Sequence, residues 1–226
     1  MIYLKLLLIR HAQSLGNIQK RMEGQSSTTL SPKGRLQAKQ LARRLLSRLD
    51  HSRITAEQPI YLYSSPLLRA LRTAQYLSVA LRQAERSWQI VEDSQLKEIH
   101  QGIFQGLTWS EAQASFPELC ARLMSTTEWQ PVPGAESPQE ARLRSHRWFT
   151  HILNQHRPGE TIWVVSHGGF MMHLIAEIRG QPSPWETPIA HTATFEFVLS
   201  LSSSNVSQWE NSSAKCWRLH RFNQLY

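Results

Sequence analysis

Cysteine is almost missing from this sequence. The 226 residues include two, Cys120 and Cys216, far apart and in unrelated contexts. That excludes a disulfide framework and supplies no metal-ligand spacing, so a reducing, cytoplasmic setting without a metal or cofactor is expected. Long apolar runs are missing too. No stretch approaches the ~18–20 residues of a membrane span. The apolar start, Ile2 to Ile9, is broken by Lys5, has no small-residue cleavage site and runs straight into Arg10-His11. It reads as a buried strand rather than a signal peptide, and no membrane partner is expected. There is no internal repeat, basic tail, zinc-finger spacing or stacked-aromatic strand motif. The net charge of +8 is dispersed instead, over Arg43, Arg44 and Arg48, then Arg82 and Arg86, then Arg142, Arg144 and Arg147. Dispersal of this kind suits steering of a small anion better than nucleic-acid binding.

What is present is an ordinary apolar fraction of 41% and a charged fraction of 19%, enough for one sizeable core. Predicted strands alternate with predicted helices, which implies an α/β fold with a mostly parallel central sheet between helical layers. The strands are expected near Tyr3–Ile9, Ile60–Ser64, Trp88–Val91, Thr161–Ser166, Ala193–Leu201 and Cys216–Phe222. A long loop is expected over 202–214. Ser31-Pro32 starts a helix whose apolar face is Ala38, Leu41, Ala42, Leu45, Leu46 and Leu49. Ser65-Pro66 is expected to open the next helix with the same cap chemistry. Thr108 with Glu111, and Ser137 with Glu140, fit capping boxes. Pro117 should break the helix after Thr108 and start a second turn or helix, and the helix after Gly168-Gly169 should stop at Gly180.

In such a sheet, ligands gather at the carboxyl ends of the strands. Three predicted strand ends carry residues suited to phosphate: Arg10-His11, Ser64-Ser65 leading to Arg69, and Ser166-His167-Gly168-Gly169. Arginine offers planar, permanently charged donors that match phosphate oxygens. A neutral imidazole is a competent nucleophile near pH 7. Backbone N–H groups at a helix start add donors without bulk. Each residue alone has a bland reading, as a solvated arginine or a satisfied histidine. Their collection at separate strand ends points to phosphate chemistry.

These segments resemble the histidine phosphatase superfamily, which includes cofactor-dependent phosphoglycerate mutase. The resemblance runs through Leu8 to Ser14 with Asn17, Leu30 to Gly34 with Gln37-Ala38, and Ser64 to Ala70 with Thr73-Ala74. It continues through Leu96-Lys97-Glu98, Gly102, Gly106, Gly134 to Ser137 and Val165 to Gly169, in the family's order. It implies a phosphoglycerate mutase-like three-layer α/β/α sandwich, here a single domain over 1–226 with a small lid at about 101–136. It also implies His11 as the phosphorylated nucleophile, with Arg10, Arg69 and His167 forming the phosphate pocket and Asn17 and Gly168 as further contacts. Glu98 would be the general acid, a role that nothing in its local pattern reveals. Gln13, Ser27 and His191 stand where the family often carries Glu, Asp and Asn.

The resemblance also bears on the fate of the phosphoenzyme. About thirty residues separate Gly106 from Gly134, short of the mutase insertion, and Gln101 occupies the place of a mutase tyrosine. A short lid admits water. The favoured reading is a phosphomonoesterase for a small phosphorylated metabolite such as a sugar phosphate, with Gln101 among its substrate contacts. Trp109, Phe116 and Trp129 either line the substrate pocket or pack the lid. A phosphoglycerate mutase and a non-catalytic phosphate-binding module stay open as alternatives, as does a homodimer.

Overall fold

A computed structural model describes residues 2–51, 60–83, 89–127, 129–201 and 217–221. Its central sheet has six strands. They are β1 (Ile2–Arg10), β2 (Ile60–Ser64), β3 (Ile90–Glu92), β4 (Thr161–Ser166), β5 (Thr194–Leu201) and β6 (Trp217–Arg221). Their order across the sheet is β3-β2-β4-β1-β5-β6. The pairings β2–β3, β2–β4 and β1–β4 are parallel, while β1–β5 and β5–β6 are antiparallel. The mostly parallel sheet expected from the alternating pattern is therefore present. The loop expected over 202–214 lies outside the described residues, as do Trp88, Cys216 and Phe222 at the ends of two predicted strands.

Seven helices surround it among the described residues: α1 (Leu15–Ile18), α2 (Pro32–His51), α3 (Leu68–Gln83), α4 (Trp109–Ser115), α5 (Pro117–Ser125), α6 (Pro138–Gln155) and α7 (Gly168–Arg179). The period-2 alternation of β1 sorts them into layers. Leu4, Leu6 and Leu8 face α6 and α7, in one core with Trp148, Phe149, Phe170, Leu174 and Ile178. Leu7 and Ile9 face α2 and α3, in a second core with Leu41, Leu45, Ala74, Leu77 and Leu81. Trp163 and Val165 of β4 join the second core, and Ile162 and Val164 the first. Residues 101–136 contribute a third cluster of Phe104, Ala112, Leu119 and Cys120, which shares no residue with the other two.

The caps hold as read at most termini. Ser31 Oγ accepts from Gly34 N (2.9 Å) at the start of α2. Full capping boxes open α4 and α6, and Gly180, at φ 62°, ends α7 in the left-handed conformation. The exception is α3, which begins at Leu68, later than the expected start at Pro66. Ser65 Oγ accepts weakly from Leu67 N (3.3 Å) and also binds His167 Nε2 (2.8 Å). The N–H of Leu68 goes instead to Ser27 Oγ (3.3 Å), which reaches across from the polar loop after β1.

Register decides where the strand ends fall. Arg10 pairs with Ser166, and Ser64 with Val165, so three parallel strands finish nearly level. The ladder extends one residue further, with His11 N donating to Ser166 O (2.9 Å) and Ser65 N to Val165 O (3.0 Å). The residues immediately following, His11, Ser65 and His167, emerge together.

Candidate active site

His11 lies at the centre of this rim and is 2% exposed. Its Nδ1 is 2.8 Å from the carbonyl oxygen of Ala12. A carbonyl can only accept, so Nδ1 carries the proton and Nε2 keeps its lone pair. Burial, reinforced by the charges of Arg69 and Arg10, holds the imidazole well below the ordinary histidine value of 6.5. The ring is therefore neutral, with one nucleophilic nitrogen available. Thr73 braces the loop by accepting from Ala12 N (3.1 Å) through Oγ1 while donating to Arg69 O (2.8 Å).

His167 stands 5.0 Å from His11, centroid to centroid, with the rings tilted by 59°. His167 Nε2 pairs with Ser65 Oγ (2.8 Å), whose hydroxyl can donate to it, and in that tautomer the imidazole proton lies on Nδ1. Burial first, then His11 and the two arginines, keeps His167 well below 6.5. Arg10 donates to Ile189 O through Nη1 and lies over Gly168, where a Cβ would meet its Cζ at 3.3 Å. Arg69 is 1% exposed, and donates through Nη1 to Ser26 O (2.7 Å) and through Nη2 to Gly24 O (2.6 Å). Among the described residues, three buried nitrogens here have no hydrogen-bond partner: Arg10 Nε, Arg69 Nε and His167 Nδ1. Unsatisfied buried donors are costly and rare, and three converging beside a neutral histidine are the complement of a multiply charged oxyanion.

Glu98 reaches the same place. Its Oε1 accepts from Phe170 N (2.8 Å) and Ile99 N (2.9 Å), and its Oε2 from Gly169 N (3.1 Å). The carboxyl thus sits on the start of α7, and Oε2, with a single longer bond, has the lone pair able to carry a proton. The amide of Gly169 is consequently not a phosphate donor, contrary to the expectation from the helix start.

Asn17 is placed against the pocket but is largely committed. Its Oδ1 accepts from Ser14 N (3.1 Å) and binds His191 Nε2 (2.8 Å), and its Nδ2 donates to Glu23 Oε2 (2.7 Å). Gln101 lies at the rim, packed so closely on Gly24 that a Cβ there would meet Gln101 Cγ at 2.9 Å. Among the aromatics, Phe116 packs on Phe104 within the third cluster, at 5.9 Å between centroids, Trp109 lies edge-on to Phe104 at 6.2 Å but is exposed, and Trp129 is exposed.

Two site residues escaped sequence reasoning. Glu23 is buried, binds Ser14 Oγ (2.6 Å) and Thr28 Oγ1, and lies 3.8 Å from Arg69 Nε. Burial outweighs its cationic and hydrogen-bonding neighbours and raises its carboxyl above the usual range. His191 approaches His11 to 6.0 Å between centroids, carried by a tight turn in which Thr192 adopts φ 61°. Burial, then Arg10 and Lys33, lower it to about 4. Neither residue lies in a run of chemistry-bearing neighbours, and only the departure noted at position 191 hinted at either. Among the described residues, no group of three or more His, Cys, Asp or Glu could hold a metal ion, and no helix is long and apolar enough to cross a membrane.

A neutral buried imidazole ringed by two arginines, a second imidazole and a carboxyl defines a phosphoryl-transfer site on a three-layer α/β/α sandwich. The chain belongs to the histidine phosphatase superfamily (branch 1), whose family model matches residues 6–212. It is 35% identical over 189 residues to the glucosyl-3-phosphoglycerate phosphatase of Mycolicibacterium vanbaalenii, covering 79% of this chain and 75% of that protein. It is 31% identical over 175 residues to a metal-independent phosphoserine phosphatase of Arabidopsis thaliana, covering 77% and 68%. Among solved structures it resembles a mycobacterial glucosyl-3-phosphoglycerate phosphatase, with TM-score 0.73 and 26% identity over 99% of this chain and 100% of that one.

Proposed function

We propose that this protein is a metal-independent phosphomonoesterase acting on a small phosphorylated metabolite through a phosphohistidine on His11. The observation that carries this is the convergence of Arg10 Nε, Arg69 Nε and His167 Nδ1, buried and, among the described residues, without a hydrogen-bond partner, beside a histidine whose Nδ1 is occupied by Ala12 O. The three donors hold the non-bridging oxygens, and two guanidinium charges balance a phosphate dianion. His11 Nε2 attacks phosphorus as the bond to the ester oxygen breaks. The electron pair moves to that oxygen, which takes a proton from Glu98 Oε2. Water then attacks the phosphohistidine, Glu98 recovers a proton from it, and phosphate leaves with His11 restored.

The relatives named for glucosyl-3-phosphoglycerate and phosphoserine support a small phosphate ester bearing polar groups, and residues 101–136 serve as the lid that selects it. The low cysteine content and dispersed charge support a cytoplasmic setting and a free metabolite rather than nucleic acid. The test is hydrolysis of p-nitrophenyl phosphate in excess chelator, with isolation of an acid-labile phosphoenzyme. His11→Ala should abolish both; full activity in that variant overturns the assignment. A coupled assay in which phosphoglycerate mutase turnover exceeds hydrolysis would place the chain among the mutases instead.

A further inference from the structure

Among the described residues, no strand pairs with the segment that delivers Glu98 to hold its backbone. Side chains hold it instead. Arg144 Nη1 donates to both Gln95 O (2.6 Å) and Lys97 O (2.7 Å). Ser166 Oγ donates to Leu96 O (2.9 Å), and Gln25 Nε2 to Glu98 O (3.1 Å). Four consecutive carbonyls, Gln95 to Glu98, are thus fixed from outside, two of them by one guanidinium. The opposite edge of Arg144 forks onto Glu136, with Nε to Oε1 at 2.8 Å and Nη2 to Oε2 at 2.7 Å. Glu136 is in turn tied to the far end of the segment, its N–H donating to His100 O (2.9 Å). Both side chains are only 12% exposed. The guanidinium also lies 4.1 Å from the ring centroid of Phe170, whose N–H donates to Glu98 Oε1.

A residue that stabilised α6 alone would not need this arrangement. Arg144 touches the backbone before Glu98, the residue pairing after it, and the ring of the residue that receives its carboxyl. We propose that Arg144, oriented by Glu136, is a positioning residue that holds Glu98 where it can protonate the leaving oxygen. The proposal rests on the reading of Glu98 as the general acid. Lysine cannot replace it, because an ammonium is a point charge and cannot serve a carboxylate fork and two carbonyls from fixed planar directions.

Leaving-group dependence separates positioning of an acid from general support of the fold. Cleavage of p-nitrophenyl phosphate releases a stabilised phenolate and needs little proton transfer, whereas glycerol 3-phosphate releases an alkoxide that needs it fully. The comparison uses kcat/KM, which reports the steps up to P–O cleavage. In Arg144→Lys and Glu136→Gln, kcat/KM for glycerol 3-phosphate should fall on the order of 10- to 100-fold, the cost expected for a catalytic group displaced by about 1 Å. The p-nitrophenyl phosphate value should fall no more than about threefold if only the acid step is disturbed. Glu98→Gln should show the same selectivity more strongly, and Arg142→Ala, on the same helix, neither loss. Equal losses on both substrates, or no loss on glycerol 3-phosphate, overturn the positioning role. A Glu98→Gln enzyme that keeps its alkyl phosphatase activity overturns the acid assignment itself, and this proposal with it. Glu136→Gln keeps both carbonyl contacts of Arg144, so it remains informative if Arg144→Lys fails to fold.

Discussion

Lowering the pH should destabilise this protein before its surface carboxylates are protonated. His11, His167 and His191 are all held below 6.5, burial being the largest cause in each case. In the unfolded chain each takes up a proton near 6.5, and in the folded chain it does not. The unfolded state therefore binds more protons, and stability is full above about pH 7 and lost as the pH falls through 6.5. His191 gives a magnitude, since its value is about 4. Between pH 7 and pH 5 it alone removes about 2 kcal/mol. His11 and His167 act in the same direction. Glu23, raised by burial, acts oppositely, and only in the window just above its unfolded value near 4.5. A loss of this size is a large share of the ~5–15 kcal/mol typical of a folded domain. Urea unfolding at pH 7, 6 and 5 measures it directly. His191→Asn loses the hydrogen bond to Asn17 at every pH, so its absolute stability is not the test. Its stability should fall about 2 kcal/mol less than that of the parent over the same interval. Equal pH slopes in the two proteins would refute the claim that His191 is held neutral by the fold.

Other consequences are as direct. Arg69→Lys cannot hold Ser26 O and Gly24 O while facing a phosphate, so kcat/KM for p-nitrophenyl phosphate should drop on the order of 10²- to 10³-fold in steady-state assays. Gly34→Ala would place its Cβ on the carbonyl oxygen of Gln13, which is backbone and cannot rotate away. Urea titration should show a loss of about 1–3 kcal/mol. Gly169→Ala would bring a methyl to 2.8 Å from Glu98 Oε1. Thermal melting should change little, because alanine favours the helix by up to about 1 kcal/mol, while alkyl phosphatase activity falls.

The sequence made the strand ends legible because Arg10-His11, Ser64-Ser65 and Ser166-His167 each follow a run of strand-forming residues. It made α2, α4, α6 and α7 legible because their caps are local. It misplaced the start of α3 because the cap there comes from Ser27, 41 positions before Leu68. Arg144 shows the same limit. By composition it is one of several dispersed basic residues, and only folding places it under Gln95 and Lys97. Glu98 was reached by resemblance alone, since two of the three amides that receive its carboxyl belong to residues more than 70 positions away. Local chemistry is written in neighbouring letters, and these contacts are not.

The neck of the segment 101–136 carries a last consequence. Gln101 bridges to Ala135, Ile103 N donates to Pro133 O (3.0 Å), and Gly102, at φ 57°, packs directly against the Pro133–Ala135 backbone. Both ends of the excursion are thus fastened to each other before it departs. Chain closure is settled at the neck, and doubling the length beyond it would add only about 0.6 kcal/mol of closure entropy. The part beyond the neck can be lengthened, shortened or rebuilt while the sheet and its rim of charged groups stay as they are. With residues 101–136 as the proposed lid, the reaction stays fixed in the sheet and the choice of substrate is editable.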